Sequence, residues 1–220
     1  MRKSHTKHHS TGMVATVLPA RTIVTLPYAA NYEDTGSSGS GLATAIRAIS
    51  LNGCFDPEVT GAGHQPMGFD QWSTFYTKYQ VLSCNFKIYA INLGIASTNV
   101  QYIYWFVDAE GSDRFHSHSF SDLKEQPQIR MKLLPPSFGG NMRSVTVRDT
   151  INVSKTLRKV YNVQKDNIPT LTTANPAKQL YLHIGFVNQY PTGVSAPNIL
   201  YNIKLRYKTM MIDWKELAQS

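Results

Sequence analysis

Most apolar positions in this chain fall in short segments that alternate with polar residues or run as brief β-branched and aromatic stretches. Each segment is closed by Gly, Pro, Asn or Ser. Read at a period of two, the pattern predicts eight strands, over residues 21–28, 43–51, 79–93, 100–107, 128–134, 143–154, 179–188 and 199–212. The connections at 35–41, 134–140 and 190–197 are rich in the Gly, Pro and Ser that turns between antiparallel strands require. Several long connections favour an all-β fold, an eight-stranded antiparallel jelly-roll β-sandwich, over an up-and-down barrel with short regular turns. Short helices are expected only in the connecting loops. One is predicted over 69–78, where Phe69, Trp72, Phe75 and Tyr76 share a face and Asp70 favours the N-terminal end. The stretch HSHSFSDLKEQP, by contrast, reads as a loop.

The alternation also sorts charge. In residues 203–208, Ile203, Leu205 and Tyr207 share one face, and Lys204, Arg206 and Lys208 form a cationic ridge on the other. Around 143–150 the same logic sets Arg148 opposite Val145 and Val147, with Arg158 and Lys159 extending the positive stretch beyond the strand. The net charge of +8 is unevenly distributed. Residues 1–30 hold four bases and no acids, 31–126 five bases and ten acids, and 127–209 twelve bases and two acids. Such a distribution makes a directional field suited to a polyanion, phosphate backbone first. The candidate nucleic-acid-binding residues are therefore Arg2, Lys3 and Lys7, followed by Arg143, Arg148, Arg158, Lys159, Lys204, Arg206 and Lys208. Residues 1–13 are expected to be a basic, mobile arm, and 14–220 a single jelly-roll domain.

Other chemistry finds little purchase. A hydrophobic content of 42% argues against disorder, no apolar run approaches the ~18 residues of a membrane helix, and the first residues lack a signal-peptide core. Cys54 and Cys84 have no CxxC or metal-ligand spacing and read as structural thiols of a reducing compartment. Asn152-Val153-Ser154 fits a glycosylation acceptor but reads as chance without a secretory signal. GxSxG, HExxH, P-loop and GxGxxG motifs are missing, and no catalytic residue, metal or cofactor is expected. His116 and His118 with Glu125 come nearest to a cupin-type metal site, but the Glu follows too late. Asp108, Glu110 and Asp113 lack EF-hand spacing and read as a solvated loop.

One segment is too structured for a generic loop. Residues 52–72 read NGCFDPEVTGAGHQPMGFDQW. Asp56 and Pro57 preset a turn, Gly61 and Gly63 admit conformations closed to other residues, and Pro66 stiffens the exit. His64, alone in a Gly-rich turn, reads as a hydrogen-bonding strut rather than a ligand. The run Gly63-His64-Gln65-Pro66, then Phe69, Asp70 and Trp72 and a following Tyr-rich strand, resembles the capsid proteins of circovirus-like, replication-initiator-encoding circular single-stranded DNA viruses. The close match covers about thirty residues and the strand pattern matches more loosely elsewhere. Family arms are long and Arg-rich, whereas this one supplies three bases and His5, His8 and His9.

The resemblance implies a coat protein that self-assembles as many identical subunits into a small icosahedral shell. That shell would package a single-stranded DNA genome by sequence-independent charge neutralisation. It also implies a virion location, with assembly in the host nucleus, and no membrane insertion; it names no host receptor. The alternatives are a cupin-type metal-dependent enzyme using His116 and His118, a monomeric single-strand-binding module, and the coat of a small single-stranded RNA virus.

Overall fold

A computed structural model of the chain describes residues 18–37, 41–61, 63–94, 100–112, 114–137, 142–161, 168–189 and 196–215. In chain order the elements are β1 (Arg21–Thr35), β2 (Thr44–Ser50), α1 (Phe69–Phe75), β3 (Tyr76–Asn92), β4 (Gln101–Asp108), α2 (Phe120–Glu125), β5 (Arg130–Leu134), β6 (Ser144–Asn152), α3 (Val153–Tyr161), β7 (Thr170–Leu171), β8 (Tyr181–Asn188) and β9 (Asn198–Trp214). One sheet has the order β1-β9-β3-β6, with β7 added on β3, and the other β2-β8-β4-β5. All their pairings are antiparallel.

The order follows a nested scheme. β1 pairs with β9, β2 with β8, β3 with β6 and β4 with β5, as in one long hairpin rolled so that successive pairs fall in alternate sheets. That is the jelly roll expected from the strand pattern. The eight predicted strands are all present, with β1 running seven residues further than expected, to Thr35.

Two inner faces supply the main core. Leu26, Phe86, Ile88, Ile203, Leu205 and Tyr207 of the first sheet meet Ile49, Ile103, Ile184 and Phe186 of the second, all buried. Several buried tyrosines also use their hydroxyls, because an unpaired phenol in a core is costly. Tyr207 Oη donates to the Ser50 carbonyl of the opposite sheet at 2.7 Å, and Tyr79 Oη to Ala174 at 3.0 Å. Among the described residues twelve aromatic side chains are buried within the subunit, while Phe55, Phe75, Tyr89 and Trp214 stay exposed.

The outer faces of the two sheets differ. Over β8, a second cluster of Tyr104, Phe106, Phe115, Phe120, Leu123 and Val187 places α2 and the preceding loop on the second sheet, so β8 is buried along nearly its whole length. His183 Nε2 bonds the Glu110 carbonyl at 2.7 Å and the ring stacks on Phe106, tying that loop down. The outer face of the first sheet has no such cover from the described residues and alternates exposed with buried along β9.

The helices depart from expectation. α1 ends at Phe75, because Tyr76 is extended, fully buried and paired with Trp214. Phe75 consequently points outward at 40% exposure instead of joining the core face. The stretch read as a loop contains α2, started by a capping box in which the Ser119 hydroxyl accepts from Asp122 N and the Asp122 carboxylate from Ser119 N. The strand expected to reach 154 becomes α3 at Val153, where Asn152 Oδ1 accepts the Lys155 amide, and Val153 and Leu157 anchor the helix.

Two outcomes test this packing. A methyl at Gly185 would lie 2.2 Å from the ring of Tyr104, which is buried on the neighbouring strand, so Gly185→Ala should destabilise the subunit by ~1–3 kcal/mol in denaturant titration. Burial pushes the Cys54 thiol up to about 12 and raises Cys84 well above its usual range. Both thiols should therefore resist Ellman's reagent at mildly alkaline pH and react only after denaturation.

Candidate nucleic-acid interface

The open face of the first sheet follows from period two applied to paired strands. Core residues at Ile203, Leu205 and Tyr207 force Lys204, Arg206 and Lys208 to the other side, and all three are exposed. On β6, buried Val145 and Val147 likewise force Arg148 outward. Register then brings separate strands together. Lys87 of β3 is paired with Lys204 on one side and with Arg148 on the other. Three cations from strands far apart in sequence thus stand in one row, ~5 Å from strand to strand.

The neighbouring rows are neutral apart from the ridge. Arg206 lies between Pro27 and Asn85, Lys208 between Thr25 and Ser83, and Asn202 between Asn31 and Tyr89. Among the described residues, no acid occupies these rows. Lys87 was not singled out from the sequence, although Phe86-Lys87-Ile88 carries the same alternation as the ridge.

The remaining predicted cations are distributed around this face. Arg143 is exposed ahead of β6, while Arg158 and Lys159 are exposed beyond its end, on α3. A cleft of about 550 Å³ between β4, β6 and α3 is lined by Trp105, Arg130, Asp149 and Lys159, and there Arg130 is already paired with Asp149. Lys132 Nζ donates to the Thr146 carbonyl at 2.9 Å across the same edge. Arg2, Lys3 and Lys7 lie outside the described residues.

The Gly-rich segment is held against β1 and β2 by polar contacts. Arg47 lies 3.3 Å from Asp34 and 3.5 Å from Glu58, with its guanidinium over the Tyr32 ring. Tyr32 donates to Glu58 and Tyr201 to Asp34; burial, reinforced by these partners, holds both phenols well above their usual range and so protonated as donors. Asn175 receives the Asp56 amide and donates to the Asp56 carbonyl, and the Pro57 carbonyl accepts from Ser50. His64 stacks on Tyr28 and contacts the carbonyls of Gln65 at 2.8 Å and Ala29 at 3.0 Å. Pro66 is buried and Gln65 half-buried beside it.

Gly61 has φ of 69° and Gly68, the N-cap of α1, has 87°, both left-handed. At Gly63 the reason for glycine is space and not conformation, since a Cβ would come 2.9 Å from that of Glu58. Phe69 is fully buried against Tyr79, Trp72 packs on the core, and Asp70 is exposed in the first turn of α1.

The candidate metal ligands do not converge. His116 is exposed, and His118 contacts the His116 carbonyl and the Phe115 ring. Asp108 pairs with Arg114 at 3.0 Å, and Asp113 lies outside the described residues. Among the described residues no three His, Cys, Asp or Glu side chains are grouped to hold a metal ion. Among the described residues no helix is long and apolar enough to cross a membrane.

No protein-family model and no curated protein matches the chain. Solved structures similar to it include the nora virus structure, at a TM-score of 0.49 and 9% identity, covering 100% of this chain and 68% of that one. The Macrobrachium rosenbergii nodavirus structure has a TM-score of 0.48 at 10% identity, with 100% of this chain and 62% of that one covered. The 60-mer BFDV capsid protein has 0.45 at 10% identity, with 91% and 97% covered. The nested strand pairing, rather than these distant likenesses, establishes the jelly roll.

Proposed function

We propose that this chain is a viral coat protein: a jelly-roll domain over 14–220 that assembles with copies of itself into a small icosahedral shell, without catalysis or cofactor. The enclosed polymer is single-stranded DNA, and the resemblance of the 52–72 segment supports a virus of the circovirus-like group. The subunit is a component of the virion, assembled in the host nucleus.

The observation that carries this reading is the row Lys204, Lys87, Arg148 on an open sheet face, with no acid in that row or in the rows of Asn202, Arg206 and Lys208. Like charges directly opposite one another on adjacent strands oppose folding by roughly 0.2–1 kcal/mol per pair. Phosphates laid along the row remove that repulsion and release their own counterions, which favours binding without sequence reading. The face therefore gains most from a polyanion, and a shell lined by it would neutralise its genome. Assembly draws on apolar residues left outside the core. Phe75, Leu171 and Trp214 are 40%, 54% and 39% exposed, and pairing of Trp214 with Tyr76 and of Leu171 with Lys78 brings them to one end of the sheet. Arg2, Lys3, Lys7, Arg143, Arg158 and Lys159 add to the lumenal charge, and the Asp56 to Trp72 motif residues hold the loop that shapes a subunit edge.

Changing Lys204, Arg206 and Lys208 together to Gln should leave the subunit folded and still forming round particles in negative stain, but with less nuclease-protected nucleic acid. The extracted polymer should be degraded by DNase and not by RNase. Unchanged packaging would remove the ridge from the lumen, and RNase sensitivity would favour the RNA-virus coat. Separately, Lys87→Gln should raise the melting temperature of the nucleic-acid-free subunit at low ionic strength. That gain should fade as the Debye length shrinks to ~3 Å near 1 M salt.

A further inference from the structure

Beside the cation row, one aromatic ring stands open on the same face. Tyr89 follows Lys87 by two residues on β3, so its side chain projects to the same side ~6.6 Å further along the strand. It is 38% exposed, whereas Tyr76, Tyr79, Tyr104 and Tyr207 are fully buried. Its cross-strand neighbours are Asn202 and Thr146. Asn202 is turned away, donating to Asn31 Oδ1 and the Ala30 carbonyl. In the next row Ile91 and Leu200, the latter 36% exposed, lie between Glu33 and Ser144. The face therefore sets a ring immediately alongside three cations, with two apolar side chains one row further on.

We propose that Tyr89 is a stacking platform for unpaired bases, while Lys87, Lys204 and Arg148 hold the adjoining phosphates. The open face thereby selects single-stranded over duplex nucleic acid. This deepens the packaging reading and rests on it. Charge alone favours the duplex, which carries more phosphate per length. An exposed ring favours the single strand, because a base in a duplex already has its faces covered by its neighbours, whereas every unpaired base offers a π-face. The placement is sequence-tolerant, as packaging of a whole genome requires.

The test is fluorescence anisotropy with the full-length protein and three probes: a short oligothymidylate, an abasic oligomer of equal length and charge, and a duplex. Tyr89→Ala should weaken oligothymidylate binding between about fivefold and about 150-fold, leaving the abasic affinity and the salt slope unchanged. Tyr89→Trp should retain the oligothymidylate affinity, which separates lost stacking from lost folding. An equal loss on both single-stranded probes, or no loss on either, overturns the stacking role. So does a Tyr89→Ala protein that binds both probes normally but no longer assembles, which makes this face a contact between copies. Wild-type protein that binds none of the probes overturns the packaging reading itself, and stacking with it.

Discussion

The rest of the structure depends on β9 satisfying two unlike environments at once. It lies between β1 and β3, so its backbone is hydrogen-bonded along both edges, and its side chains alone decide what each face becomes. Inward, Ile199, Tyr201, Ile203, Leu205 and Tyr207 are buried against the second sheet. Outward, Lys204, Arg206 and Lys208 stand in solvent. A register slip of one residue would exchange the two faces, putting three cations into a dry core. The core therefore fixes the position of the charge, and the ridge is as rigid as the sandwich beneath it.

The two sheets resolve their outer faces differently. The second is closed by its own chain, with α2 and the loop before it packed over Tyr104, Phe106 and Val187. The first is left open and carries like charges opposite one another. At the junction of β1, β2 and the Gly-rich segment, Arg47 is shared between Asp34 and Glu58, with Glu58 almost wholly buried. Losing one member of such a cluster leaves a buried charge uncompensated, which makes it a lock on the loop more than a source of net stability.

Much of this was legible in the sequence because strand period is a local property. The ridge in IKLRYK and the outward Arg148 needed only alternation. What period two cannot give is which strands become neighbours, and so the row formed by Lys87, Lys204 and Arg148 emerges only from register. Helix boundaries were the weaker part. α2 is announced by the Ser119 to Asp122 capping box, but a stretch dense in His and Ser masks it. α1 stops early because tertiary pairing claims Tyr76, which its place on the apolar helix face does not reveal. Glycine at 63 was legible as a requirement, though its cause, the close approach of Glu58, was not.

The nested pairing has a kinetic consequence. Since β9 separates β1 from β3, the first sheet has no continuous order until residues 198–214 have left the ribosome, and β1 and β2 wait for partners, β9 and β8, that are encoded late. Contacts of such long sequence separation fold slowly. While it waits, the nascent chain exposes unpaired strand edges to other nascent chains, so translation from crowded polysomes is the stage at which this subunit is most open to misassociation.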